Sequence, residues 1–196
     1  MKPAAIILVL LGLAVSMGAQ NSAPANNPNS AQQSTAAAPP QGKRPPQAKT
    51  QPEFEAYKAA AAQQNDPAAL EKAADAFAAK FPASELTPLL YRATMRGYQQ
   101  ANSRDKLEAI AQKLLKSDPD DPEALVNLSE VITESTHDSD LDKDQRYDEA
   151  RKDAQRAIQT VETDIPTGVG PDQVDAYKGL LKSNAYSVLG SIDFNQ

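Results

Sequence analysis

The chain has 196 residues, no Cys and no Trp, which excludes disulfides, thiolate chemistry, sulfur-bound zinc and a lipid-modified cysteine. Residues 1–52 hold Lys2, Lys43, Arg44 and Lys49 and no Asp or Glu, so all 26 acidic residues face 16 basic ones from Glu53 onward, a net −10. A surface that acidic repels nucleic acid and anionic lipid and argues against both as general partners.

The N-terminus reads as an export signal. After Met1-Lys2-Pro3, Ala4 to Val15 is an uninterrupted apolar run, and Ser16 to Gln20 supplies small residues suited to cleavage. The run is shorter than the ~20 residues of a comfortable membrane span. A signal peptide over 1–19 is expected, with an exported protein, periplasmic or extracellular; an uncleaved signal would be its one membrane contact. Residues 20–52 are rich in Ala, Pro, Gln, Asn and Ser, and Asn21 to Thr50 contain no aromatic, Leu, Ile or Val. With nothing to bury, this segment is expected to be a disordered linker, stiffened locally by Pro39-Pro40 and Pro45-Pro46. The bland reading of its Lys43–Pro46 stretch is spacer; the sharper one is an envelope-contact patch.

From Pro52 the periodicity becomes helical. Phe54, Tyr57, Ala60 and Ala61 share one face of a first helix. Asp66-Pro67 ends that segment and starts a second helix, with Asp66 as N-cap, carrying Leu70, Ala73, Ala74, Phe77 and Phe81. Thr87-Pro88 repeats the device before a third helix with Leu90, Tyr91, Thr94, Met95 and Tyr98. Asn102-Ser103 breaks it, and Arg104 to Lys116 form a fourth helix with Leu107, Ile110, Ala111 and Leu114 inside. Asp121 caps a fifth, with Leu125, Leu128, Ser129 and Ile132 on its apolar side. An acidic insertion, 135–145, precedes a sixth helix from Tyr147 to Thr160. After the breaker-rich loop at 165–171, Asp172 is placed to cap a last helix burying Val174, Tyr177, Leu181, Ala185, Val188, Leu189 and Ile192.

Tyr57, Tyr91 and Leu125 recur every 34 residues on the first helix of successive helical pairs. With Ala60 and Ala61, Tyr98, Leu128, Ser129 and Ile132 in first helices, Ala73, Phe77, Ala111, Ala150, Ala154 and Ala157 in second helices, and Pro119 closing a unit, residues 53–196 resemble the tetratricopeptide repeat family. Met95, Leu107 and Leu114 depart from its small-residue positions. The resemblance implies an all-α fold: a right-handed superhelical array of antiparallel helix pairs, an α-solenoid of about three and a half repeats. The units would span 54–82, 86–118 and 122–163, with a terminal helix at 172–195. Tyr186, Leu189 and Gly190 look like the opening of a further repeat, so the last helix is either a solvating cap or a half repeat that a partner, including a second copy, completes.

The resemblance implies a non-catalytic scaffold that binds a protein or peptide in its concave groove and needs no cofactor. In that register Lys58, Arg92, Arg96 and Gln99 point into the groove, which would suit an acidic peptide or chain terminus. The competing reading pairs these cations with Asp and Glu of neighbouring helices. A second candidate is the run Asp138, Asp140, Asp142, Asp144 and Glu149, which has the carboxylate spacing of a calcium loop. It would make the chain a calcium-responsive binding module. Lys143 stands where such a loop needs Gly and Gln145 where it is apolar, so a solvated acidic insertion that favours the next helix's positive end competes with it. His137 has no second metal-ligating His or Cys, and Asn127-Leu128-Ser129, though a glycosylation sequon, falls on an apolar helical side.

Overall fold

A computed structural model describes residues 44–166 and 169–196; the expected signal peptide and most of the linker lie outside them. Among the described residues there are seven α-helices and no strand. They are α1 (Gln51–Ala61), α2 (Pro67–Lys80), α3 (Thr87–Gln100), α4 (Arg104–Ser117), α5 (Pro122–Ser135), α6 (Lys143–Thr160) and α7 (Val174–Asn195). Each helix packs on the next, and α1 also touches α3 and α5 touches α7. This serial packing of helices joined mostly by short turns is consistent with an α-solenoid.

Local chemistry sets the boundaries. The Asp66 carboxylate accepts from the amides of Ala68 and Ala69 at 3.0 and 3.1 Å, and Asp121 accepts from Ala124 at 2.8 Å, each with Pro at the first helical position. Thr87 does not repeat the device: α3 already includes it, its N-cap is Leu86, and no side chain caps it. Nor does Asp172 cap the last helix, whose N-cap is Gln173. Asn102, at φ 52°, takes the left-handed conformation that turns α3 into α4. At Gly97 a Cβ would lie 2.9 Å from Pro67 Cβ, so α3 can close onto the start of α2 only without a side chain there.

The core runs continuously through all seven helices. Leu70, Leu90, Met95, Ile110, Leu114, Tyr147 and Ile192 are among its most deeply buried members. A polar network rides on it: Tyr98 Oη donates to Glu71 (2.7 Å), Tyr91 Oη to Asp75 (3.1 Å), and Lys113 Nζ to Glu71 (2.7 Å) and Asp75 (2.8 Å). The two repeat-position tyrosines thus bury their rings between helices while their hydroxyls tie α2 to α3. Burial, with the adjoining carboxylates, pushes both phenols up to about 12.

Residues 44–50, which composition assigns to the disordered linker, lie against the helices instead. Arg44 pairs with Glu85 at 2.5 Å, Lys49 Nζ donates to the Ala83 carbonyl at 2.6 Å, Ala48 packs on the core and Thr50 caps α1. Glu53, at 3% exposure, receives the Ser84 hydroxyl (2.5 Å) and the Lys49 amide (2.7 Å). The Ser84 bond leads in holding its carboxyl below the usual range. Composition cannot reveal such docking, because apart from Ala48 the segment is held by hydrogen bonds and an ion pair to its neighbours.

Candidate functional site

The four residues assigned to the groove separate. Lys58 projects from α1, pairs with Glu55 at 2.8 Å and stands 5.0 Å over the Phe54 ring, which is itself 43% exposed. Arg92 is buried, its Nε 2.8 Å from Asp121 Oδ2, with Nη2 on the same oxygen and 3.9 Å from Asp118. Arg96 grips Glu123 with two parallel bonds, Nε to Oε1 at 2.7 Å and Nη2 to Oε2 at 2.6 Å. Both arginines are therefore paired with carboxylates at the start of α5, the competing reading of the sequence. Among the described residues two of the four line clefts, and they are different ones: Arg92 a cavity of about 380 Å³ beside Pro88 and Asp118, and Gln99 a smaller one beside α5.

The pairing has a structural logic. Asp121 uses one oxygen to cap α5 and the other to hold Arg92, fixing the α4–α5 turn to α3. Burial pushes its carboxyl above the ordinary range, against the opposing pull of Arg92 and the Ala124 amide. Glu123 leads the interactions that raise Arg96, stabilising its charge. The α7 residue Tyr177 adjoins this cluster. Its hydroxyl is buried without a hydrogen-bond partner among the described residues, and burial, followed by the charges of Glu123 and Asp121, pushes the phenol up.

A different surface emerges where α3, α5 and α7 meet. A cleft of about 330 Å³ between α5 and α7 is lined by Glu130, Thr133, Glu134, Asn184, Ser187 and Ser191. A smaller one of about 120 Å³ continues past Gln99, Ser103, Arg104 and Asn127, and Glu130 and Glu134 line both. The two adjoin along Glu130 and Glu134, carboxylates one helical turn apart, as a trough of amides and hydroxyls in which Val188, Leu107 and Val131 supply apolar lining and Arg104 a cation. Glu134 pairs with Arg104. Glu130 is half-buried, and no hydrogen bond to its carboxylate is made among the described residues. Burial, then the charge of Glu134, raises its carboxyl against the weaker pull of Arg104. Sequence reasoning passed over Glu130 and Glu134 because α5 declares itself by its apolar positions; their i, i+4 spacing on a helix poor in other charges was the available signal.

In the acidic insertion α6 already starts at Lys143, so Asp144 and Glu149 are helical. Asp138 pairs with Lys143 at 3.0 Å, and Asp140 accepts the His137 amide at 2.8 Å. Asp142 is the N-cap residue but makes no side-chain cap bond. Among the described residues no three His, Cys, Asp or Glu side chains gather where they could hold a metal ion. His137 is exposed, 3.8 Å from Asp140. In the sequon, Asn127 is buried and donates to the Glu123 carbonyl at 2.7 Å, a packing role. Among the described residues no helix is long and apolar enough to cross a membrane. Comparison with known proteins adds no relative: no family model, no curated protein and no solved structure matches the chain.

Proposed function

We propose that this chain is a non-catalytic protein-interaction scaffold of the cell envelope. Its helices would follow the right-handed superhelix of tetratricopeptide-like repeats, and a partner polypeptide would lie in the trough across α3, α5 and α7. One observation carries the reading: two adjoining clefts, lined from α3, α4, α5 and α7, share a half-buried carboxylate, Glu130, to which no hydrogen bond is made among the described residues. Amide and hydroxyl groups along such a trough suit the main chain of an extended peptide. The export step rests on the apolar run Ala4–Val15 and the small residues after it.

The charge of the partner follows from the site. With Arg92 and Arg96 already paired, the acidic peptide implied by the family register loses its main attraction. Glu130 and Glu134 instead favour a segment bearing Lys or Arg, which would relieve the strain of holding a carboxylate half out of water. The test is an NMR titration of the full chain with a short Lys/Ala peptide and a Glu/Ala peptide of equal length. The Lys/Ala peptide should shift amides of α5 and α7, and Glu130→Gln with Glu134→Gln should weaken it at least tenfold. Equal shifts from both peptides, or shifts confined to other helices, would remove the trough from consideration.

A further inference from the structure

The two end faces of the helical array are unlike each other and complementary. On α7, Ala176, Gly179, Leu180, Ser183, Gly190 and Phe194 recur at helical spacing on the side opposite its buried stripe, giving an outer face with no charge over five turns. Leu180 is 60% exposed and Phe194 91%, and Tyr186, also 60% exposed, stands at the margin of this face. A Cβ at Gly179 or Gly190 would meet nothing within 4 Å. Each glycine costs a helix interior about 0.5–1 kcal/mol relative to Ala, and no contact among the described residues uses its missing side chain. Glycines beside projecting apolar side chains are what a closely approaching second helix requires.

At the other end, α1 and α2 enclose an open groove of about 510 Å³ on alanines, including Ala59, Ala73 and Ala76, with Phe77 in its lining and Lys72 and Lys80 among the residues around it. Small residues there leave holes where α7 offers knobs. The charges complement as well: exposed Asp175 flanks the Tyr186 margin of the α7 face, as does Asp193, which also pairs with Arg151 at 2.7 Å, both opposite in sign to the groove lysines. Among the described residues no other helix covers either face.

We propose that the outer face of α7 docks into the α1–α2 groove of a second copy, a head-to-tail contact between two different surfaces. Such heterologous contacts propagate into rings or open chains rather than stopping at a dimer. The assembly is independent of the trough, since Glu130 and Glu134 take no part in it.

Sedimentation equilibrium on the full chain tests this by complementation. The wild type should show an average mass that climbs with concentration. Ala76→Glu blocks the groove, Leu180→Glu with Tyr186→Glu blocks the knobs, and each protein alone should associate at least tenfold more weakly. All three positions are exposed, so unchanged helicity by circular dichroism is expected, with Ala76→Lys as a second groove variant. Mixed, a groove-blocked and a knob-blocked protein should form a 1:1 dimer and go no further. A monomeric wild type, as when the apolar run Ala4–Val15 or another protein is the true occupant of the groove, would overturn the proposal. So would a groove-blocked protein that still self-associates, which would indicate α7 pairing with α7, or a mixture that stays monomeric.

Discussion

Helices α5 and α7 both carry a long apolar stripe, yet they stand in opposite situations. In α5, 11 of 14 residues are buried, including Glu123, Asn127 and Thr133, because α4, α6 and α7 surround it. In α7, 22 residues long, the fully buried side chains are Leu181, Ala185, Val188 and Ile192, a single stripe against α5 and α6. Apolar surface on a helix therefore means two different things along one chain. In the middle it reflects a helix enclosed by neighbours, which must satisfy its polar groups internally. At the end it leaves an apolar face with no neighbour among the described residues.

The contrast can be broken most forcefully at Asp121. Its replacement by Ala would leave the buried Arg92 guanidinium only Asp118, 3.9 Å away, and uncap α5, at a cost of about 3 kcal/mol. Chemical denaturation should show that loss; a drop below about 1 kcal/mol would mean that the pair is solvated and α5 less enclosed than described.

A smaller effect of opposite sign is expected on α6. Burial, then Glu149, raises the half-buried Asp153 carboxyl to about 6, with Arg156 opposing. A raised folded value favours the protonated form, so ionised Asp153 weighs against the fold. That penalty is absent below the unfolded value of 3.8, grows as pH rises to about 6 and is constant above it. Undiscounted it converts to about 3 kcal/mol, and solvent screening reduces it to about 1 kcal/mol. Asp153→Asn should therefore stabilise at neutral pH and become neutral near pH 4; equal gain at both pH values would assign it to something other than ionisation.

The smallest effect belongs to the outer face of α7. Leu180→Ala removes a side chain that is 60% exposed and should change unfolding stability by no more than about 0.5 kcal/mol in dilute solution. A loss of several kcal/mol would show that this face is covered within the chain.

These contrasts mark how far the sequence could be read. Apolar periodicity located all seven helices, because burial stripes such as Leu181, Ala185, Val188 and Ile192 follow directly from the helical repeat. The Asp66 and Asp121 caps were legible because both their chemistry and the following Pro are local. Partners distant in sequence were not. Arg92 and Asp121 are 29 residues apart, and only the approach of the α4–α5 turn to α3 makes them a pair. Glu130 shows the same limit in reverse. Its role depends on α7 lying across α5, while its immediate neighbours in sequence describe only a packed helix.

The central claim, that the trough selects its partner by charge, is tested most directly by reversing that charge. Glu130→Lys with Glu134→Lys should exchange the preference of the protein, so that a Glu/Ala peptide binds at least tenfold more tightly than a Lys/Ala peptide in calorimetric titration at low salt. An unchanged order of affinities in that variant would contradict the account.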